Sequence, residues 1–226
     1  MVYSYRQEDD SPALVIPQLS IAAGEKVAVI GRIGSGKSTL LRLLAGQAEP
    51  RSGSIVLDDT MMAQIDMADL RRDIGYMSQT GDLFYGSIRE NLRIANPGAT
   101  DAEIAAALRL SCADRLLQKQ ANGLDLQIGE GGTGVSNGQR QSLLLARLIL
   151  RDPNIVLLDE PTASLDEGTE RLLIDNLKGW LQGRTLVVAT HRFPILELVD
   201  RLIVIESGRI LMDGPKAEIL QRLKSG

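Results

Sequence analysis

Gly31-Arg32-Ile33-Gly34-Ser35-Gly36-Lys37-Ser38 spells G-x-x-x-x-G-K-[ST], a glycine-rich stretch ending in an amine and a hydroxyl. Glycines let the backbone curl until successive N–H groups point inward, making a nest for the oxygens of a phosphate chain. A helix that starts at such a loop adds the positive end of its dipole to the same place. Lys37 can then reach terminal phosphates, and the Ser38 hydroxyl can ligate a divalent cation. A cation held there needs an acidic partner, and Asp159 closes the apolar run Ile155-Val156-Leu157-Leu158, where its carboxylate can face the metal. Glu160 follows at once on a different side and suits the polarising of a water as general base. The plainer alternative, in which the two carboxylates cap a following turn at Pro161-Thr162, is disfavoured by the glycine loop upstream.

These groups need elements to hold them. The chain has 226 residues, enough for one sizeable domain with a lobe inserted into it, and 44% hydrophobic with 24% charged residues is a globular balance. A net charge of −4 carries no basic surplus of the kind nucleic-acid binding uses. One cysteine, Cys112, excludes an intramolecular disulfide, and its setting in Leu110-Ser111-Cys112-Ala113 predicts a buried structural thiol. No apolar run approaches the roughly 20 residues of a membrane-spanning helix, and the N-terminus lacks the form of a signal peptide, so a soluble chain is expected.

Short apolar runs at Val27–Ile30, Ile155–Leu158 and Leu186–Ala189 read as central strands covered on both faces. They alternate with helical patterns, which predicts an α/β fold with a largely parallel sheet. Leu202–Ile205 and Arg209–Met212 flank Glu206-Ser207-Gly208, a hairpin signal. From about 87 to 150 the texture is helical, which predicts a helical lobe inserted in the α/β core. Thr100 and Glu103 have capping-box spacing, and Ser136 can cap a helix that ends near Arg151-Asp152-Pro153.

Val135-Ser136-Asn137-Gly138-Gln139-Arg140-Gln141 resembles the LSGGQ signature of ABC ATPases. With it stand Gln79 as a Q-loop, Ser164-Leu165-Asp166 as a D-loop, the only histidine, His191, as a switch residue, and Tyr5 where this family stacks a ring on adenine. The motifs run in family order from Tyr5 to His191. The resemblance implies one ABC ATP-binding domain over 1–226, with a P-loop RecA-like core, an antiparallel β subdomain and an inserted α-helical subdomain. It implies ATP and Mg²⁺ as cofactors. It assigns nucleotide binding to Tyr5, Gly31, Gly34, Ser35, Gly36, Lys37, Ser38, Thr39, Ser136, Gly138, Gln139 and Asp166. It places Mg²⁺ on Ser38, Gln79 and Asp159, and gives catalytic roles to Glu160, His191, Lys37 and Gln79. It further implies a head-to-tail homodimer with each ATP between one P-loop and the partner's signature. Asn137 departs from the family's glycine, which bears on turnover. Asp166 can equally open the helix that runs through Leu172, Leu173 and Trp180, and Tyr3 or Tyr5 can equally be an edge-strand aromatic.

The stretch from Gln79 through Leu83-Phe84 and Ser87-Ile88 to Asn91 resembles exporters, as does Ile128-Gly129-Glu130-Gly131-Gly132, whose plainer reading is a glycine-rich linker. Together with Asn96-Pro97-Gly98 the pattern most resembles bacterial type I protein secretion ATPases; drug and lipid exporters share much of it. That resemblance implies a membrane domain on a longer chain, of which this would be a fragment; the alternative is a stand-alone subunit that docks on a separate membrane protein. It also implies placement at the cytoplasmic face of the inner membrane, and a periplasmic adaptor and outer-membrane channel as further partners. Soluble ABC proteins acting on nucleic acid or ribosomes are the alternative from another class. Against them stand the lack of sustained heptads and of a tandem second domain.

Overall fold

The computed structural model describes residues 1–5, 12–117 and 122–225. It divides into two compact units, Met1–Tyr76 with Asn154–Glu160 and Gly183–Gly226, and Met77–Pro153 with Pro161–Gln182.

The first unit is built on an eight-stranded sheet. Its strands are β1 (Val2–Tyr3), β2 (Leu14–Val15), β3 (Lys26–Ile30), β4 (Ile74–Met77), β5 (Ile155–Asp159), β6 (Thr185–Thr190), β7 (Arg201–Glu206) and β8 (Arg209–Pro215). The order is β1-β2-β8-β7-β3-β6-β5-β4, and β4 ends at the unit boundary. β6 pairs in parallel with β3 and β5, and β7 in parallel with β3. The antiparallel pairs β1–β2 and β7–β8 belong to this same sheet. A two-residue turn links β7 to β8, with Ser207 (φ 46°) and Gly208 (φ 75°) both left-handed, as a tight hairpin between right-twisted strands requires.

The apolar runs at the centre become strands because both their faces are covered. Val27, Val29, Leu157, Val187, Ala189 and Ile203 share a core with Leu40, Leu41 and Leu43, which line one side of the helix Lys37–Leu44. Truncating any one of these leucines to alanine opens a cavity at a cost of about 2–5 kcal/mol. Arg201 at the start of β7 pairs with Asp213 on β8 through two bonds of 2.7 Å and with Glu25 at 3.0 Å, closing the end of this sheet region.

The second unit is mostly helical: Ile88–Arg93, Asp101–Leu110, Asn137–Arg151 and Glu167–Trp180, with a short ribbon pairing Gly86–Ser87 and Gln127–Ile128. Three of these helices open with complete capping boxes, Ser87 with Glu90, Thr100 with Glu103 and Ser136 with Gln139. Each box satisfies N–H groups that a helix start leaves without partners. Asp101–Leu110 packs against both Asn137–Arg151 and Glu167–Trp180, burying Ile104, Leu108, Leu143, Ala146, Leu173 and Leu177. Asn137–Arg151 stops where Asp152 turns left-handed (φ 55°) ahead of Pro153. No helix among the described residues is long and apolar enough to cross a membrane.

Candidate active site

In the first unit the glycine loop joins the end of β3 to the helix Lys37–Leu44. The turn into that helix passes through Gly36 at φ 108°, and no side chain caps it, so its first N–H groups point into the loop. Gly31 is needed for a different reason: a Cβ there would overlap the carbonyl oxygen of Ile205 on β7. The hairpin supports the loop from behind, since Gly208 N–H donates to the Ser35 carbonyl at 2.9 Å and Val15 N–H donates to the Gly208 carbonyl at 2.7 Å. Sequence reasoning saw the hairpin but not this role, for which a short turn carries no separate signal.

Lys37 is buried, and its Nζ donates to the carbonyls of Gly31 (2.8 Å) and Arg32 (3.1 Å), so the amine sits across the loop it helps form. Ser35 Oγ is buried without a hydrogen-bond partner, as is Asp159 Oδ1 at the end of β5. Such atoms cost stability unless a ligand completes them. Asp159 is hydrogen-bonded to Ser38, and burial pushes its carboxyl above the ordinary range; the charge of Glu160 adds to the rise while Ser38 and Lys37 oppose it. The hydroxyl–carboxylate pair fits a small hard cation that takes its remaining oxygens from phosphates and water. Among the described residues no cluster of three or more His, Cys, Asp or Glu would hold a metal unaided.

Glu160 occupies the left-handed region (φ 51°), a conformation that costs a non-glycine residue about 1–3 kcal/mol. The neighbouring strand holds it there, as Glu160 N–H donates to the Ala189 carbonyl on β6 at 2.9 Å. Its side chain is 7% exposed and lies 2.8 Å from His191 Nδ1 through Oε1. The Thr190 hydroxyl, 3.4 Å from Glu160 Oε2, also accepts the Arg192 N–H at 2.9 Å and so shapes the turn that carries His191. Tyr5 is exposed, with its hydroxyl 2.5 Å from Thr39 Oγ1. The first unit thus brings together Tyr5, residues 31–39, Asp159, Glu160 and His191.

Gln79, Ser136, Gly138, Gln139 and Asp166 belong to the second unit. Gln79 is exposed in the turn after β4. Ser136 Oγ accepts the Gln139 N–H at 3.2 Å while Gln139 Oε1 accepts the Ser136 N–H at 2.8 Å; the serine hydroxyl keeps its own proton to donate. A Cβ on Gly138 would lie 2.8 Å from the Ser164 carbonyl, and Gln141 Oε1 accepts the Ser164 N–H at 3.0 Å, so the segments around Gly138 and Ser164 are tightly joined. Asp166 caps Glu167–Trp180 by accepting from Thr169 N–H (2.9 Å) and Oγ1 (2.7 Å), and these bonds hold its carboxyl below the usual range. Arg140 bridges Asn137 Oδ1 (2.7 Å) and Asp82 Oδ1 (3.1 Å). Glu130 is exposed in a short turn closed by Thr133 Oγ1 donating to its carbonyl at 2.8 Å.

Beside this, Phe84, Tyr85, Glu90, Asn91, Ile94 and Gln127 line a groove of about 400 Å³. Its floor is fixed by Asn91, whose amide bonds both the N–H and the carbonyl of Phe84 at 2.9 Å, and by Arg147, which bonds Asn91 Oδ1 at 2.8 Å. Phe84 and Tyr85 remain exposed. The sequence marked this stretch through the resemblance at Leu83-Phe84 and Ser87-Ile88; the capping box Ser87-x-x-Glu90, with the same spacing as Thr100 and Glu103, was a signal it did not use.

A largely parallel sheet with a glycine loop opening on a helix start, a strand-end carboxylate on the loop's serine and a second carboxylate next to it has the form of a nucleotide-binding α/β domain. A family profile described as ABC transporter matches residues 16–163, more than half of the chain. The chain is 39% identical over 96% of its length to the mesentericin-Y105 transport/processing ATP-binding protein MesD of Leuconostoc mesenteroides. It is 37% identical over 96% to the cyclolysin secretion/processing ATP-binding protein CyaB of Bordetella pertussis. It is 38% identical over 95% to the glutathione/L-cysteine transport system ATP-binding/permease protein CydC of Escherichia coli. These alignments span 30%, 30% and 37% of the respective relatives, so the chain corresponds to about a third of each. A solved bacterial Atm1-family ABC exporter with ATP bound is similar over 98% of the chain and 38% of its own, with a TM-score of 0.91 at 31% identity. The chain belongs to the ABC transporter family. It corresponds to the ATP-binding part of proteins of this kind and is similar in fold to the nucleotide-binding portion of an ABC exporter.

Proposed function

We propose that two copies of this domain close head to tail on two ATP molecules and that hydrolysis reopens them, driving export through a membrane domain. The observation that carries this reading is Glu160: buried, held in a left-handed conformation, next in sequence to the Asp159 that bonds Ser38, and paired with His191. In this mechanism the loop N–H groups and Lys37 bind the phosphates, and Lys37 exchanges its two backbone carbonyls for phosphate oxygens. Thr39 and Tyr5 bind the rest of the nucleotide. Ser38 and Asp159 would hold Mg²⁺, which neutralises charge on the phosphates when bound. Glu160 takes a proton from the attacking water as its oxygen bonds to the γ-phosphorus and the bond to the β–γ bridging oxygen breaks, leaving ADP and phosphate. His191 orients Glu160 and senses the γ-phosphate. The N–H groups of Asn137 and Gly138 and the Ser136 hydroxyl contribute to the partner's γ-phosphate, with Gln139 closing the cap behind Ser136 and Asp166 shaping the contact. Catalysis of this sort is mainly positioning and charge stabilisation.

The groove at Phe84 and Tyr85, with Glu130, is the surface we assign to the membrane domain, at the cytoplasmic face of a bacterial inner membrane. The similarity to MesD and CyaB supports type I protein secretion as the process, with a periplasmic adaptor and outer-membrane channel as partners. The similarity to CydC supports a second reading, export of a small thiol compound. ATPase rate against protein concentration, for wild type and Glu160→Gln together, tests the motor. A rate per molecule that rises with concentration and is lost in the variant is expected; a flat rate insensitive to the substitution would overturn it. Deleting the gene separates the cargo readings: loss of a protein from the culture medium supports secretion, and loss of exported thiol supports the second.

A further inference from the structure

We propose that Tyr3 is a positioning residue for recognition of the nucleotide base, acting through Tyr5. The inference rests on the reading of Tyr5 as the ring on which the base stacks. The Tyr3 and Tyr5 rings stand edge to face, with centroids 5.3 Å apart and planes at 81°. That arrangement is the one ring quadrupoles favour, and it holds a ring in place more firmly than apolar contact alone. Tyr5 is also held at its far end, by the bond of 2.5 Å between its hydroxyl and Thr39 Oγ1 in the first turn of Lys37–Leu44. Between these two holds the Tyr5 side is still 61% exposed, so a face remains open to a ligand. An exposed tyrosine ordinarily samples several rotamers, and ordering it on binding costs affinity. Here that ordering is done before the ligand arrives.

Tyr3 owes its own position to strand register. It sits opposite Leu14 in the β1–β2 pair, and Leu14 is fully buried against the loop: a Cβ on Gly36 would lie 2.9 Å from Leu14 Cδ1. The same strand pair therefore backs the phosphate nest through Leu14 and sets the aromatic platform through Tyr3. It works as a spacer that fixes the distance between the phosphate site and the base site. Tyr3 should then matter for ligands that carry a base and not for a bare triphosphate chain.

The experiment is displacement of a fluorescent ATP analogue from the chain by ATP and, separately, by inorganic tripolyphosphate, for wild type, Tyr3→Leu and Tyr3→Phe. Tyr3→Leu is expected to weaken ATP about three- to tenfold while leaving tripolyphosphate within about twofold, which also reports an intact fold. Tyr3→Phe, keeping the ring and losing only the hydroxyl, is expected to restore ATP binding. Unchanged ATP affinity in Tyr3→Leu, a parallel loss for both ligands, or failure of Tyr3→Phe to restore binding would each overturn the proposal. Equal affinity of wild type for the two competitors would overturn it together with the stacking reading of Tyr5. A failure confined to Tyr3 leaves the wild-type preference for ATP intact, so the two are told apart.

Discussion

His191 Nδ1 lies 2.8 Å from Glu160 Oε1, a contact between residues 31 positions apart that fixes the orientation of a buried carboxylate. The parallel pairing of β5 with β6 brings the two strand ends side by side, Asp159 opposite Ala189, and the residues just beyond meet. Replacing Glu160 by Gln preserves shape while removing the group proposed as the base. Hydrolysis measured by phosphate release should fall at least about a hundredfold, with ATP binding retained.

His191→Ala should lower kcat by about tenfold or more and leave the affinity for ATP at low protein concentration within about twofold, because it removes orientation and not the binding nest. A single-turnover assay beside an equilibrium titration separates the two quantities. Equal loss in both would assign His191 to ground-state binding instead.

Lys37→Ala removes the amine that spans the Gly31 and Arg32 carbonyls. If Lys37 binds phosphate as proposed, losing that charge-assisted contact should weaken ATP about tenfold or more in calorimetry. Lys37→Arg should not rescue it, since a forked guanidinium does not fit a buried site shaped for a point charge.

Gly138→Ala would drive a methyl group against the Ser164 carbonyl, 2.8 Å away, where two backbone segments meet. Overpacking of this sort costs about 1–3 kcal/mol, seen as a lower melting temperature. ATPase activity at high protein concentration should fall as well, while nucleotide binding by the dilute chain stays near wild type.

Cys112 is buried at a left-handed position, and burial pushes its thiol up from the ordinary value. Reaction with a thiol reagent at pH 8 should be slower than for a free cysteine by about a hundredfold, and should become complete on unfolding in denaturant. Rapid labelling of the native chain would contradict the burial.

Much of the local structure was legible in the residues alone. The strands at Val27–Ile30, Ile155–Leu158 and Leu186–Ala189, the turn at Ser207-Gly208, and the helix from Ser136 to Arg151 all occur where their patterns place them. So do the capping box at Thr100 and the helix cap at Ser136. Each is written in contiguous residues: a nest of N–H groups, a cap three residues away, or an apolar run covered on both faces depends on dihedral angles and neighbours within one or two turns. The plainer possibility for Asp166, a place at the start of the next helix, is what its bonds to Thr169 realise.

Tertiary structure alone decided which of these pieces meet. No periodicity announces that Gly208 supports Ser35, that Tyr5 bonds Thr39, that Arg140 joins Asp82 to Asn137, or that Glu160 faces His191. These pairings follow from strand order and helix packing, which are settled by the summed burial of many non-local contacts and not by any short stretch of sequence. An apolar strand fits equally well beside several neighbours; only the packed sheet selects β6 for β5 and so puts the histidine on the carboxylate.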